Sequence, residues 1–346
     1  MRRVRATTAL TALSTLAALA VVGGGCAPAV AQPPHREAGT DYAFAVIGDV
    51  PYGDAQIAAF PRWIQQINAD PAVKSVVHVG DIKNGSSVCS DEYLRMIRGD
   101  FDTFEDPLVY TPGDNEWTDC HRANNGAYNP LERLAMVRKV FFDDPGRTLG
   151  QDPFPVDSQA GRGLPENVTY RRAGVTFVAA NVPGSNNGLQ PWTGLGYSEP
   201  TPEQRQAVQD RTAADIDELH AAFSTARARH DRGVVVMQQA DMFDPTYTPT
   251  DNDISAFRPW VQALVDEASH FDGPVYLFDG DSHAYNSDRP LASGSSWLST
   301  YGVQGAADNL TRVTVDGSSN NTDYLRVTVG AAGAHLLSWE RMPYAS

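Results

Sequence analysis

The chain is short of cysteine and of positive charge. Three Cys occur in 346 residues, and 27 Lys and Arg stand against 42 Asp and Glu, a formal charge of −15 at pH 7. A surface this acidic argues against binding to nucleic acid or to an anionic membrane, and it suggests divalent cations as companions. No internal repeat is present, and no second linker follows the one near the N-terminus, so the sequence reads as one large α/β domain.

The one long apolar run is at the start. Arg2, Arg3 and Arg5 precede a charge-free stretch from Ala6 to Val22, and Ala29-Val30-Ala31 supplies small residues for cleavage. Residues 1–31 are therefore expected to be an export signal. Its Ala, Thr and Gly content fits a spanning helix poorly, and no bulky apolar pair follows Arg2-Arg3 as a twin-arginine signal would have. Cys26, after three glycines, leaves two fates open: plain secretion, or cleavage before Cys26 and a lipid anchor on the outer face of the membrane. Residues 32–41 read as a flexible tether and 42–346 as the folded domain. Loss of the leader removes three Arg and no acid, deepening the negative charge. Cys89 and Cys120 then remain, an even number in a compartment that permits disulfides, and both sit in polar loops after strands. A Cys89–Cys120 bridge is expected over two separate buried thiols.

Strand and helix signals alternate. Phe44–Ile47, Val76–Val79, Leu108–Tyr110, Val175–Val178, Val234–Met237 and Val275–Phe278 read as buried strands, with helices over 57–68, 92–104 and 131–142. Another helix begins at Thr201, with Pro202 in its first turn and Gln204 placed for a capping box. The end, over 324–329 and 336–339, reads as two antiparallel strands, whereas 184–196 and 293–319 look like polar excursions. Such alternation implies a largely parallel sheet.

Several strand exits carry an acid or amide: Gly48-Asp49, Gly80-Asp81, Gly113-Asp114-Asn115-Glu116, Gln238-Gln239 and Gly280-Asp281-Ser282-His283. Ligands of open α/β sheets bind beyond such ends. One Gly-Asp pair is usually a turn, but a set of them crowds carboxylates that repel unless a cation sits among them.

Over 44–52, 76–84, 111–117, 234–241 and 276–285, the sequence resembles the five signature blocks of calcineurin-like metallophosphoesterases, in their usual order. Gly280-Asp281-Ser282-His283-Ala284-Tyr285 is most similar to the purple-acid-phosphatase form of the last block. The runs from Gly113 to Arg122 and from Pro183 to Asn187 resemble a bacterial exported branch of the superfamily. The resemblance implies a four-layer α/β/β/α sandwich and one or two divalent metal ions. Asp49 and His283 would hold the first and Asp81 would bridge, while Asp114 and Gln238 would hold the second with Asp281 beside them. Gln239 takes the place of Gln238 if the fourth block slips by one. It also implies hydrolysis of a small phosphate ester, with metals deprotonating a water and neutralising phosphoryl oxygens.

The departures concern charge and proton supply. Pro51 stands where the family has a His, Asp114-Asn115 replaces Asn-His, and Gln238 and Asp281 replace two further His. Asn115 cannot act as a general acid; His121 is the nearest candidate, though a surface His reads the same way. Four Asp would cancel two divalent ions and leave no surplus for phosphate, so Mn, Mg or Ca is expected over Zn. Lys83 and Arg289 could restore positive charge, and Asn187 lies in a loop suited to a polar ligand. Two readings follow: a metal-dependent phosphoesterase, with Asp49, Asp81, Asn115 and His121 in the chemistry, or a catalytically weak relative that binds metal for structure or recognition.

Overall fold

The computed structural model describes residues 42–330 and 335–345. The leader and tether lie outside that range, and the described residues belong to one compact unit. In chain order, β1 (Tyr42–Ile47), α1 (Gly53–Asn68), β2 (Val73–His78), α2 (Asp91–Phe101), β3 (Leu108–Tyr110) and α3 (Pro130–Phe141) form the first half. There follow β4 (Asp157–Gln159), β5 (Leu164–Arg172), β6 (Val175–Ala179), α4 (Pro202–Arg229), β7 (Val234–Met237), α5 (Arg258–Ser269) and β8 (Val275–Asp279). The chain ends with β9 (Asn286–Asp288), α6 (Ser296–Tyr301), β10 (Leu310–Thr314), β11 (Asp323–Val329) and β12 (Leu337–Pro343).

Two sheets form, in the orders β12-β11-β1-β2-β3 and β4-β5-β6-β7-β8-β10-β9. The β1-β2-β3 and β6-β7-β8-β10 ladders are parallel, and the flanking strands run antiparallel. Alternate side chains decide the layers. Phe44 and Val46 of β1, Phe177 of β6, Val235 and Met237 of β7 and Phe278 of β8 fill the space between the sheets. Phe44 meets Phe177 and Phe278 edge-on at 5.4 and 5.9 Å, and each fully buried ring contributes about 1.5–3 kcal/mol. The opposite faces carry helices: α1, α2 and α3 on the first sheet, α4 and α5 on the second. This is the α/β/β/α sandwich.

Local chemistry explains the helix starts. Thr201 and Gln204 form the capping box at α4, Ser90 accepts from the Tyr93 N–H at α2, and Asn129 caps α3 ahead of Pro130. Phe60, Ile64 and Ile67 of α1 share one buried face. One sequence expectation fails here: 293–319 is no mere excursion. It contains α6 and β10, and β10 lies between β8 and β9. Its polar reading comes from Arg312, a fully buried guanidinium ion-paired with Asp241 and Asp288.

Cys89 and Cys120 form a disulfide with Cα atoms 5.8 Å apart. The bridge joins the loop before α2 to the loop after β3, and both sulfurs lie against the Asn115 carbonyl. It closes a sequence separation of 31 residues, so the double Cys→Ser variant should lose about 2–5 kcal/mol. Denaturant melts of oxidised parent and variant measure this; equal midpoints would remove the bridge from the stability of the fold. Among the described residues, no helix is long and apolar enough to cross a membrane.

Candidate metal centre

The parallel strands of both sheets deliver their exits to one edge. Asp49, after β1, donates its N–H to the Gly80 carbonyl, and the Asp281 N–H, after β8, donates to the Asp49 carboxylate at 3.1 Å. That contact ties one sheet to the other. Asp49, Asp81, Asp281 and His283 all adopt left-handed backbone, with φ of 54°, 59°, 70° and 62°. Such strain is held only where the surroundings fix it, and it collects at functional sites.

Two groups of donors result, with ligand atoms inside 4.8 Å of one another: Asp49, Asp81 and His283, and Asp81, Asp114 and Asp281. Asp81 belongs to both. Its Oδ2 accepts from Tyr52 Oη at 2.9 Å and Asn115 Nδ2 at 2.6 Å, and its Oδ1 accepts from the Asn115 N–H at 3.1 Å. His283 Nε2 lies 3.4 Å from Asp49 Oδ1, with Tyr52 edge-on to its ring. Three glycines keep the cradle clear. A Cβ on Gly184 would sit 2.6 Å from Asp114 Oδ2 and 2.8 Å from Asp281 Oδ2, and Cβ atoms on Gly280 or Gly317 would strike Asp49.

Burial pushes Asp81 and Asp281 well above the usual carboxylate range, and the charge of Asp114 adds to both shifts. Burial also raises Asp49, against the opposing effect of His283. For His283 burial works against the charge, but the hydrogen bond to Asp49 and the fields of Asp49 and Asp114 raise it. Negative charge is therefore gathered where a cation would relieve it. Oxygen donors with a single imidazole are the set that a hard divalent ion takes, so the residues present fit the metal that the resemblance implies.

Several expected residues are used differently. Gln238 is not aimed at the acids: its Oε1 accepts from the Trp260 indole at 2.7 Å and its Nε2 donates to the Ala240 carbonyl. Gln239 is the amide at the centre, accepting from the Gly184 N–H at 2.5 Å with its Nε2 3.5 Å from Asp114 Oδ1. Strand parity explains this. Val234 and Val236 face the helices, and Gln238 continues on their side; Gln239 continues the side of Val235 and Met237.

Lys83 is fully buried, donating to the Asn84 and Asn115 carbonyls at 2.8 Å each. Burial lowers its pKa to about 8 against the pull of Glu116 and Asp81. It is an internal cation beneath the acids, not a substrate contact. Asn187 is also buried: its Nδ2 donates to Thr212, and its Oδ1 and carbonyl accept from Arg211. Arg289 follows β9, which runs back along β10 away from the exits, and it lines a cavity with Asp272 and Gly273 at the other end of the sheet. His121 accepts the Gly194 N–H on Nδ1, and burial then Arg122 depress its pKa to about 4. A neutral imidazole is a poor general acid at pH 7.

The sequence reading missed Tyr52 and Ser185. Tyr52 stands three residues after Asp49, and that spacing was its only signal. Burial first, then the charge of Asp81, push its phenol well above 10, so it remains a donor. Ser185 Oγ lies 2.9 Å from Asp114 Oδ2 and 2.8 Å from Asp119 Oδ1. Burial and the charge of Asp114 raise Asp119 to about 7. Ser185, Asn186 and Asn187 are all left-handed, with φ of 50°, 55° and 53°. Asn186 is tied to Ser255 and the Ala256 N–H, so each side chain of the turn has its own anchor.

A family model for calcineurin-like phosphoesterases matches residues 42–285. The chain belongs to that family. Membership places the chain among the phosphoesterase hydrolases. Two solved structures are similar over much of the chain. GAP50, the anchor in the inner membrane complex of Plasmodium, is 10% identical with a TM-score of 0.44, covering 88% of this chain and 90% of that one. Purple acid phosphatase PPD1 from yellow lupin (Lupinus luteus) seeds is 10% identical with a TM-score of 0.38, over 88% of this chain and 54% of that one. The chain thus spans about half of the lupin protein's length. No curated protein matches it in sequence.

Proposed function

We propose that this phosphoesterase acts outside the cytoplasm as a metal-dependent hydrolase of small phosphate esters. The observation that carries the reading is the pair of three-residue donor groups sharing Asp81. Asp49 and His283 would hold one cation, Asp114 and Asp281 the other, with Gln239 beside Asp114. Divalent ions so held would polarise phosphoryl oxygens and acidify a water. The chain's own residues fix the geometry: Asn115 and Tyr52 orient Asp81, the Asp281 N–H orients Asp49, and Ser185 orients Asp114. Export rests on the basic, apolar and small-residue leader, with Cys26 offering a lipid anchor in place of release.

The reading is tested by elemental analysis of purified protein and a screen of aryl phosphomonoesters and phosphodiesters with added Mn, Mg, Ca or Zn. Modest turnover that rises with Mn or Mg is expected. A protein that retains no divalent metal and turns over nothing with any of them would end this reading. A second reading, a metal-binding relative without turnover, is favoured by Asn115, an amide where the family has an acid-base His, and by the depressed His121. Retained Ca with no hydrolysis is its signature.

A further inference from the structure

Four carboxylates leave little attraction for an anionic substrate, and the expected cations are placed elsewhere: Lys83 is buried and Arg289 is at the far end of the sheet. One other guanidinium borders the centre. Arg122 is 40% exposed, and its Nη2 pairs at 2.6 Å with Asp119, which is 4% exposed. Asp119 connects through Ser185 to Asp114. The Arg122 backbone is fixed by its N–H on the Asp119 carbonyl and by its carbonyl, which accepts from Asn125 and Ala127. Gly194 lies so close that a Cβ there would strike the His121 carbonyl and come within 2.9 Å of Arg122 Cα.

The guanidinium has a second edge. Only Nη2 is taken up by a described residue, while Nη1 lies above Gly85. A Cβ on Gly85 would meet Asn115 Oδ1 at 2.9 Å and Arg122 Nη1 at 3.3 Å. Asn115, whose Nδ2 holds Asp81, thus turns its acceptor Oδ1 toward Gly85, and the arginine Nη1 is the donor on that side of the centre. A partly exposed guanidinium with one nitrogen anchored on a carboxylate is suited to a phosphoryl oxygen.

We propose that Arg122 is the phosphate-binding cation of this site, its Nη1 edge receiving a non-bridging oxygen of the substrate while Nη2 stays on Asp119. The assignment rests on the phosphoesterase reading and supplies the positive charge that the Asp-rich donor set lacks. It restricts the substrate to esters whose phosphate bears a free anionic oxygen within reach of the Arg122 guanidinium.

The test compares the full protein with Arg122→Ala, Arg122→Lys and the double variant Asp119→Asn/Arg122→Ala, which leaves no unpaired buried carboxylate. Calorimetry reads Mn alone, then inorganic phosphate on the Mn-loaded proteins, and an aryl phosphate gives KM and kcat. Loss of a charge-assisted contact should weaken phosphate binding and raise KM about tenfold to a hundredfold in Arg122→Ala and the double variant. Arg122→Lys should fall between, and Mn affinity should stay within about twofold throughout. Variants that bind Mn and phosphate like the parent would overturn the assignment, as would Mn affinity falling in step with phosphate affinity. A Mn-loaded parent that neither binds phosphate nor hydrolyses the ester would overturn the phosphoesterase reading, and this assignment with it.

Discussion

Asp81→Asn should abolish tight metal binding. Both donor groups pass through that carboxylate, so its neutralisation removes one anionic ligand from each. Calorimetric Mn affinity should fall at least about a hundredfold, and any hydrolysis with it. Asp281→Asn, which touches one group only, should cost about a tenth as much. Loss of fold is separated by a second readout. With chelator present, Asp81→Asn should melt no lower than the parent, because it removes a buried carboxylate whose charge is opposed by burial and by Asp114. Unchanged Mn affinity in Asp81→Asn would place the centre elsewhere.

Metal withdrawal should destabilise the protein, and more so as pH rises. In the metal-free protein Asp81 and Asp281 are raised above their unfolded values, first by burial and then by Asp114. The folded state then binds more protons than the unfolded one, so stability falls as pH climbs from the unfolded value of 3.8 through the folded pKa values. Asp119, at about 7, extends that loss through neutrality. His283 is raised too, and its contribution is present below its unfolded value and lost above its folded one, so its sign agrees. Bound cations replace those protons. Mn at about a thousand times its Kd adds roughly 4 kcal/mol, or about 6 °C in Tm for a domain of this size. The gap between Mn and chelator melts should widen from about pH 5 to pH 8. A gap that stays constant or narrows would contradict the charge distribution drawn here.

Part of this was legible in the sequence because strand exits advertise themselves. An apolar run ending in Gly-Asp fixes both the end of a strand and the residue just beyond it, and β1, β2 and β8 follow that form. The layered fold was readable for the same reason: β7 and β8 are unbroken apolar runs, and the Thr201 capping box marks α4. What was hidden depended on facing. Gln238 and Gln239 are adjacent amides, and only knowing that Val235 and Met237 face the first sheet tells which one reaches the acids. Lys83 looked like a surface cation because nothing local shows that the loop after Asp81 folds beneath the Asn115 carbonyl. Asn187 looked available, yet Arg211, 24 residues later, takes it. β10 was masked by Arg312, whose partners Asp241 and Asp288 come from separate parts of the chain.

The left-handed turn at Ser185–Asn187 also bears on where this chain can change length. Each of its residues is fastened to a different neighbour, Ser185 to the acids, Asn186 to the segment before α5, and Asn187 to α4. Inserting or deleting a residue there would move every fastening by one position and turn each side chain to the wrong neighbour. Beyond Gly188 the chain is still held at Gln190, at buried Trp192 and at Gly194 against His121, and it comes free at the exposed residues 196–199 before Thr201 starts the next helix. A peptide tag, or an enlarged loop grafted for altered substrate access, therefore belongs within residues 196–199, where the chain can grow without disturbing the centre.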